Sequence, residues 1–202
     1  MMPMMKGACR SVQYLLLVML AGSCAVQEKK TETVGPAAEQ ASAEIIYVDA
    51  EVQKSFDQGV QLLQAGEADA AISVLKTVVA REQRLTAPYV NLALAYQQKG
   101  DDKQAESYLQ QALAIDSTQP QASNQLGLLY RKQGKFKQAR DIYKKALAKH
   151  PEYLPVIRNL GILCDIYLRD LDCALEQYEK LQQLLPDDKT VKIWIADLKA
   201  RM

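Results

Sequence analysis

The 202-residue chain carries 25 Lys and Arg against 24 Asp and Glu, a balance that gives no electrostatic footing to a nucleic-acid or anionic-lipid partner. Its hydrophobic fraction of 49% suffices for a real core in one domain of about 150 residues. The aromatic fraction of 6%, mostly tyrosine, favours a helical array over a β sandwich.

At the N-terminus, Lys6 and Arg10 precede an uncharged run from Ser11 to Ser23. Those thirteen residues are too few to span a bilayer, which takes about 20. A basic start, a brief apolar core and then small residues describe a secretory signal peptide, residues 1–23. Its ending, "LAGSC", resembles the lipobox of bacterial lipoprotein precursors, with Leu20 one place further from the cysteine than usual. The alternative is a plain signal peptide with an incidental cysteine, or an uncleaved anchor. The resemblance implies that the run is removed and Cys24 is lipidated. Several acyl chains would then make a stable anchor. Ala25 stands where an aspartate would retain such a protein at the inner membrane, so the resemblance implies the periplasmic face of the outer membrane.

Residues 24–48 include "AVQEKKTETVGPAAEQASA", which is almost free of large apolar side chains. Such a segment cannot bury enough surface to offset the entropy of ordering, and it reads as a flexible tether. The "IIYV" run, Ile45 to Val48, breaks that composition and either packs on the first helix or frays.

Beyond Ala50 the chain repeats itself. Gly66, Gly100 and Gly134 are spaced 34 residues apart, as are Gly59, Ala93 and Gly127, then Ala71, Ala105 and Ala139, then Leu62, Tyr96 and Tyr130. Within each unit, apolar residues recur at three- and four-residue spacing, as Leu92, Ala95 and Tyr96 do before Gly100. Each unit is therefore a pair of amphipathic helices joined by a short turn. The turn glycine supplies the left-handed conformation that ends the first helix. Gly127 and Ala139 let the paired helices approach closely.

This small, aromatic and glycine pattern resembles the tetratricopeptide repeat. In the third unit Leu126, Gly127, Tyr130, Gly134, Ala139, Tyr143, Ala146 and Pro151 match that family. The resemblance implies an all-α, right-handed α-solenoid of four helix hairpins over residues 49–186, with units at about 52–85, 86–119, 120–153 and 154–186. In the fourth unit Leu160 and Gly161 keep the period, but Ala174 follows Ala139 by 35 residues and no glycine closes the first helix. A longer or tilted turn is expected there. Residues 187–202 start with Asp187 and Asp188 and place Val191, Trp194, Ile195 and Leu198 at helical spacing, the pattern of a capping helix. Trp194 reads as core.

No catalytic constellation is legible. His150 is the sole histidine, which removes the usual triad and most metal sites, and acidic pairs such as Asp101 with Asp102 read as helix starts. No cofactor, metal, nucleic acid or small-molecule substrate is implied, and the chain reads as no enzyme. Cys164 and Cys173 lie on either side of the fourth turn and could face each other as a disulfide, which export permits; two buried free thiols are the alternative.

Function then falls to the first-helix face of the array. The family pattern points outward Phe56, Val60, Val90, Asn91, Leu94, Gln98, Asn124, Gln125, Leu128, Arg131, Lys132, Arg158 and Asn159. Amides there can pair with a peptide backbone, Leu94 and Leu128 offer an apolar floor, and Arg131, Lys132 and Arg158 favour an acidic segment or a C-terminal carboxylate. Phe56 and Val60 fill places where chaperone-tail binding repeats have polar groups, which disfavours that subclass. The resemblance therefore implies a lipid-anchored module that assembles an envelope complex by capturing a periplasmic or membrane protein segment. Pilotin-like factors for secretins of type IV pili and accessory proteins of TonB-type systems are its nearest analogues. A self-associating structural protein and a noncatalytic subunit of an envelope enzyme are the alternatives.

Overall fold

The computed structural model describes residues 48–202. The signal segment, Cys24, and the tether as far as Tyr47 lie outside the described residues. Among the described residues there are nine α-helices and no strand: α1 (Ala50–Gln64), α2 (Ala68–Arg81), α3 (Thr86–Gln98), α4 (Asp102–Ile115), α5 (Pro120–Lys132), α6 (Phe136–Lys149), α7 (Leu154–Ile162), α8 (Leu171–Leu184) and α9 (Lys189–Arg201). None is long and apolar enough to cross a membrane.

The chain starts and stops these helices with local chemistry. Carboxylates of Asp49, Asp101, Asp170 and Asp188 accept the first free N–H groups of α1, α4, α8 and α9. Donors that no turn of helix can satisfy are thereby paired. Gln119 does the same for α5, accepting from the Ala122 N–H at 2.6 Å ahead of Pro120 in the first turn. At the far ends of α1, α3 and α5, Gly66, Gly100 and Gly134 hold φ of 80°, 77° and 75°. The residue after each glycine donates back to a carbonyl five residues earlier: Glu67 to Leu62, Asp101 to Tyr96 and Lys135 to Tyr130. That double closure is the Schellman arrangement, and a side chain at φ near 75° would oppose it.

Helices pack against their chain neighbours, and α1, α3, α5 and α7 also touch in series. The first helices thus form one layer and α2, α4, α6 and α8 the other. In the first, third and fourth hairpins a glycine of the first helix lies directly against a large side chain of the second, where the second hairpin has Ala93. A Cβ added at Gly127 would stand 2.2 Å from Cε1 of Tyr143, one at Gly161 2.6 Å from Cε1 of Tyr178, and one at Gly59 2.7 Å from the Leu75 side chain. The contact reaching Gly127 is therefore the fully buried Tyr143 ring, 16 residues on.

The fourth hairpin corrects the expectation of a longer turn. Between Gly161 and the turn, α7 runs on as a π-helical segment, Leu163–Leu168, and this wider turn of helix absorbs the extra residue. Arg169 then takes the glycine's place at φ 53°, and the Asp170 N–H donates to the Cys164 carbonyl at 2.9 Å. A single residue stands between the left-handed position and the next helix, Asp170 here and Lys135 after Gly134, so the turn itself is not lengthened. Cys164 and Cys173 are joined as a disulfide across this hairpin, with Cα atoms 5.9 Å apart. Asp165, inside the π segment, accepts from the Tyr178 hydroxyl at 3.3 Å and pairs with Arg201 at 2.9 Å, tying the irregular turn to α8 and α9. α9 buries Val191, Ile195 and Leu198. Trp194 is half-buried, its ring centre 5.3 Å from that of Tyr178 with the planes tilted by 43°.

Because the Tyr143 ring occupies the space where a Cβ would go, Gly127→Ala should cost about 1–3 kcal/mol through overpacking. Tyr143→Leu should relieve part of that cost, since the second unit carries Ala93 and Leu109 at the same places. Chemical denaturation of the single and double variants should give a coupling of at least about 0.5 kcal/mol, and strictly additive costs would refute the contact.

Burial pushes the phenols of Tyr143 and Tyr178 well above the ordinary tyrosine range, and the neighbouring Asp165 carboxylate adds to the shift at Tyr178. In the unfolded chain both release their protons near pH 10, at about the free tyrosine value. Above that pH the folded state holds more protons than the unfolded one, so stability falls as pH rises. Melting followed by circular dichroism should show this decline setting in above about pH 10. Tyr178→Phe should flatten it, and an unchanged slope would contradict the assignment.

Candidate functional site

The first-helix face is built from three rows that keep the 34-residue period. One row holds Asn91, Gln125 and Asn159, the next Leu94, Leu128 and Ile162, and a third Val90, Asn124 and Arg158. Asn91, Leu94, Gln125, Leu128, Arg158 and Asn159 are half-buried, as a lined floor should be. Val90 and Asn124 depart from the outward orientation expected of them, being only 7% and 8% exposed. Packing of one first helix on the next explains this at Asn124, whose Oδ1 accepts from Asn159 Nδ2 at 2.8 Å across α5 and α7. That amide pair satisfies groups that would be costly to bury alone.

Other polar groups on the face are partly committed. Asn91 Nδ2 donates to the Ala87 carbonyl of its own helix at 2.9 Å, and Gln98 Nε2 donates to the Leu63 carbonyl of α1 at 3.1 Å. Leu94 and Gln98 also border an open cleft of about 440 Å³ with Leu63, Gln64 and Gln97.

The three cations differ sharply. Lys132 pairs with Asp102 at 2.6 Å. Arg158 lies over the Trp194 ring and 3.5 Å from Asp188, so it is part of the seat of α9. Arg131 makes no ion pair among the described residues. Its guanidinium lies 5.6 Å from the Tyr167 ring centre, and its Nη1 is buried without a hydrogen-bond partner. A donor in that state gains most from an anionic acceptor, because a charge-assisted hydrogen bond replaces an unmet one.

Sequence reading missed Tyr167. It sits in the π segment, 43% exposed, with its ring centre 4.9 Å from that of Phe136. Only the extra residue of the fourth unit signalled anything unusual there, and a residue count does not say which side chain a widened turn will project. What the face can do chemically is bind: it carries half-buried amides and leucines together with one guanidinium whose Nη1 is unpartnered.

Residues 84–149 match the family model of the tetratricopeptide repeat, a span that runs from α3 through α6. No curated protein matches the chain. Among solved structures it is similar to the thermophilic tetratricopeptide-repeat protein TTC0263 of Thermus thermophilus, with 26% identity, a TM-score of 0.61, and coverage of 74% of this chain and 81% of that one. It is also similar to pilF of Pseudomonas aeruginosa, with 24% identity, a TM-score of 0.67, and coverage of 74% and 68%. A third likeness is to MamA of Desulfovibrio magneticus, with 19% identity, a TM-score of 0.64, and coverage of 77% and 87%. Sequence match and helix geometry agree over α3 to α6, so residues 84–149 are tetratricopeptide repeats, a fold that implies a module for binding other proteins.

Proposed function

We propose that this protein is a lipoprotein held by Cys24 at the periplasmic face of the outer membrane, where it acts as an assembly factor for an envelope complex. Its repeats capture an extended segment of a periplasmic or membrane protein, a secretin, pilus or TonB-type component being the fitting class. The observation that carries the binding reading is Arg131, whose buried and unpartnered Nη1 stands on the face that Leu94, Gln125 and Leu128 also line. A carboxylate, from an acidic side chain or a chain end, is the acceptor that matches it. The lipobox-like "LAGSC" supports the anchor.

Affinity capture from detergent-solubilised envelopes tests the reading, with the intact protein compared against Arg131→Glu. The variant should lose a specific envelope protein by about tenfold or more, in line with the loss of a charged hydrogen bond, while its circular dichroism spectrum stays unaltered. Undiminished capture would remove Arg131 from the binding face, and recovery of the protein alone would favour self-association. Cys24→Ala should abolish acyl labelling and move the protein to the soluble fraction; retention on membranes would refute the anchor.

A further inference from the structure

The near-neutral total conceals a segregation of charge. From Arg131 to Lys149 stand eight basic residues and one acidic residue, Asp141. Elsewhere among the described residues, 13 basic residues face 19 acidic ones. The excess is concentrated on α6. At about 100° per residue, Lys137, Lys144, Lys145 and Lys149 fall within about 140° of one another, and all four are exposed. None of them, nor Arg140, has an ion pair or hydrogen bond among the described residues, whereas Lys132 and Lys135 are held by Asp102 and Glu106. Outer helices elsewhere do not repeat the pattern: α4 exposes Lys103, Gln104, Ser107, Gln110 and Gln111, and α8 exposes Asp172 and Glu176.

An apolar edge borders this face. Phe136 opens α6 and touches Tyr167, and Phe136, Lys137, Gln138 and Leu168 share one shallow cleft. Tyr167, next to Leu168 in the π segment, is 43% exposed and is one of the five large hydrophobic side chains most exposed among the described residues.

We propose that the lysine face of α6, with Phe136 and Tyr167 at its edge, rests on an anionic lipid surface. Protein interfaces deplete lysine from their centres and anchor on aromatic or arginine side chains set in pockets. The exposed face of α6 is centred on lysines, its Phe136 standing at the edge beside a shallow cleft. A bilayer needs no such pocket: its negative surface attracts solvated lysines through diffuse charge, and aliphatic and aromatic side chains enter its headgroup layer. This contact is separate from any lipid on Cys24, and it meets the first-helix layer that holds Arg131 at Tyr167. The average charge that spoke against anionic lipid is thus the wrong quantity, because attraction acts over about a Debye length and not over the whole chain.

The test uses the full chain carrying Cys24→Ser, so that no acyl anchor contributes, and vesicles of phosphatidylcholine with or without phosphatidylglycerol. Partitioning should be at least tenfold stronger on the anionic vesicles and should weaken with salt. Changing Lys137, Lys144, Lys145 and Lys149 together to Gln should remove at least tenfold of that preference, each lysine near a charged surface being worth about fivefold. The melting transition should stay in place. Tyr167→Ser should weaken partitioning on both kinds of vesicle. Equal partitioning of the unaltered lysine face on both vesicles, or an unchanged preference in the glutamine variant, would overturn the proposal. Binding to soluble polyglutamate without binding to anionic vesicles would overturn it in favour of an acidic protein. Envelope-partner capture through Arg131 should survive the lysine changes, which keeps failure of this proposal distinct from failure of the groove.

Discussion

The structure depends on one close approach made in three of its four hairpins: a glycine on the first helix with a large side chain of the second laid directly over it. At Gly127 and Gly161 that side chain is tyrosine, and at Gly59 it is leucine. Removing the Cβ lets the ring of Tyr143 disappear into the hairpin completely, with an exposure of 0%. Interaxial distance follows the side chains at the crossing, so this contact sets how far apart the two layers stand. The cost is local, since the Tyr143 hydroxyl is buried without a hydrogen-bond partner. Tyr178 avoids that cost through Asp165, a residue available only because the π segment turns it inward.

That π segment is the structure's answer to an arithmetic problem. One extra residue in the fourth unit could have lengthened the turn, at the risk of pulling α8 out of register with Gly161. Widening the last turn of the first helix keeps Gly161 over Tyr178 and leaves the turn unchanged. The side effect is a strained position, because Arg169 takes up the left-handed conformation that glycine occupies elsewhere. Three ties compensate: the disulfide from Cys164 to Cys173, the Asp165 hydrogen bond to Tyr178, and the Asp165 ion pair with Arg201. The irregular unit is therefore also the most cross-linked one, and the capping helix is held through it.

Much of this was legible in the chain because it depends on local chemistry. Turn glycines at an even spacing, acidic residues at helix starts and apolar residues three or four apart each act within a few residues of themselves, and the helices follow them closely. Tertiary partners were less legible. Asn124 looks like a ligand-facing amide until α7 brings Asn159 beside it, and Arg158 looks like a free cation until α9 supplies Asp188 and Trp194. The 34-residue comparison finds what repeats along the chain and not which element will lie beside it: Asn159 comes from the next repeat, whereas Asp188 and Trp194 come from the cap. Charge had the same limit: a sum over the chain is blind to which helix carries it.

Arg131 and the α6 lysines belong to one stretch of sequence, yet the two-layer architecture sends them to different places. Arg131 sits on the first-helix layer, screened on one side by Tyr167 and partly buried, so its charge acts at short range and rewards a well-placed acceptor. The lysines of α6 sit on the outer layer in solvent, where charge acts weakly per residue and without geometric demand. A helix hairpin is what separates the two uses of positive charge, since it turns one strongly basic segment into a selective inner group and a diffuse outer surface. Phe136 and Tyr167 join the two at the turn, where an aromatic contact links the start of α6 to the π segment that also flanks Arg131. A body resting on lipid through the outer layer would leave the first-helix layer facing away from that surface, open to a protein segment. The two surfaces can thus be occupied together, and a partner drawn to Arg131 would meet a module already oriented by the lysines behind it.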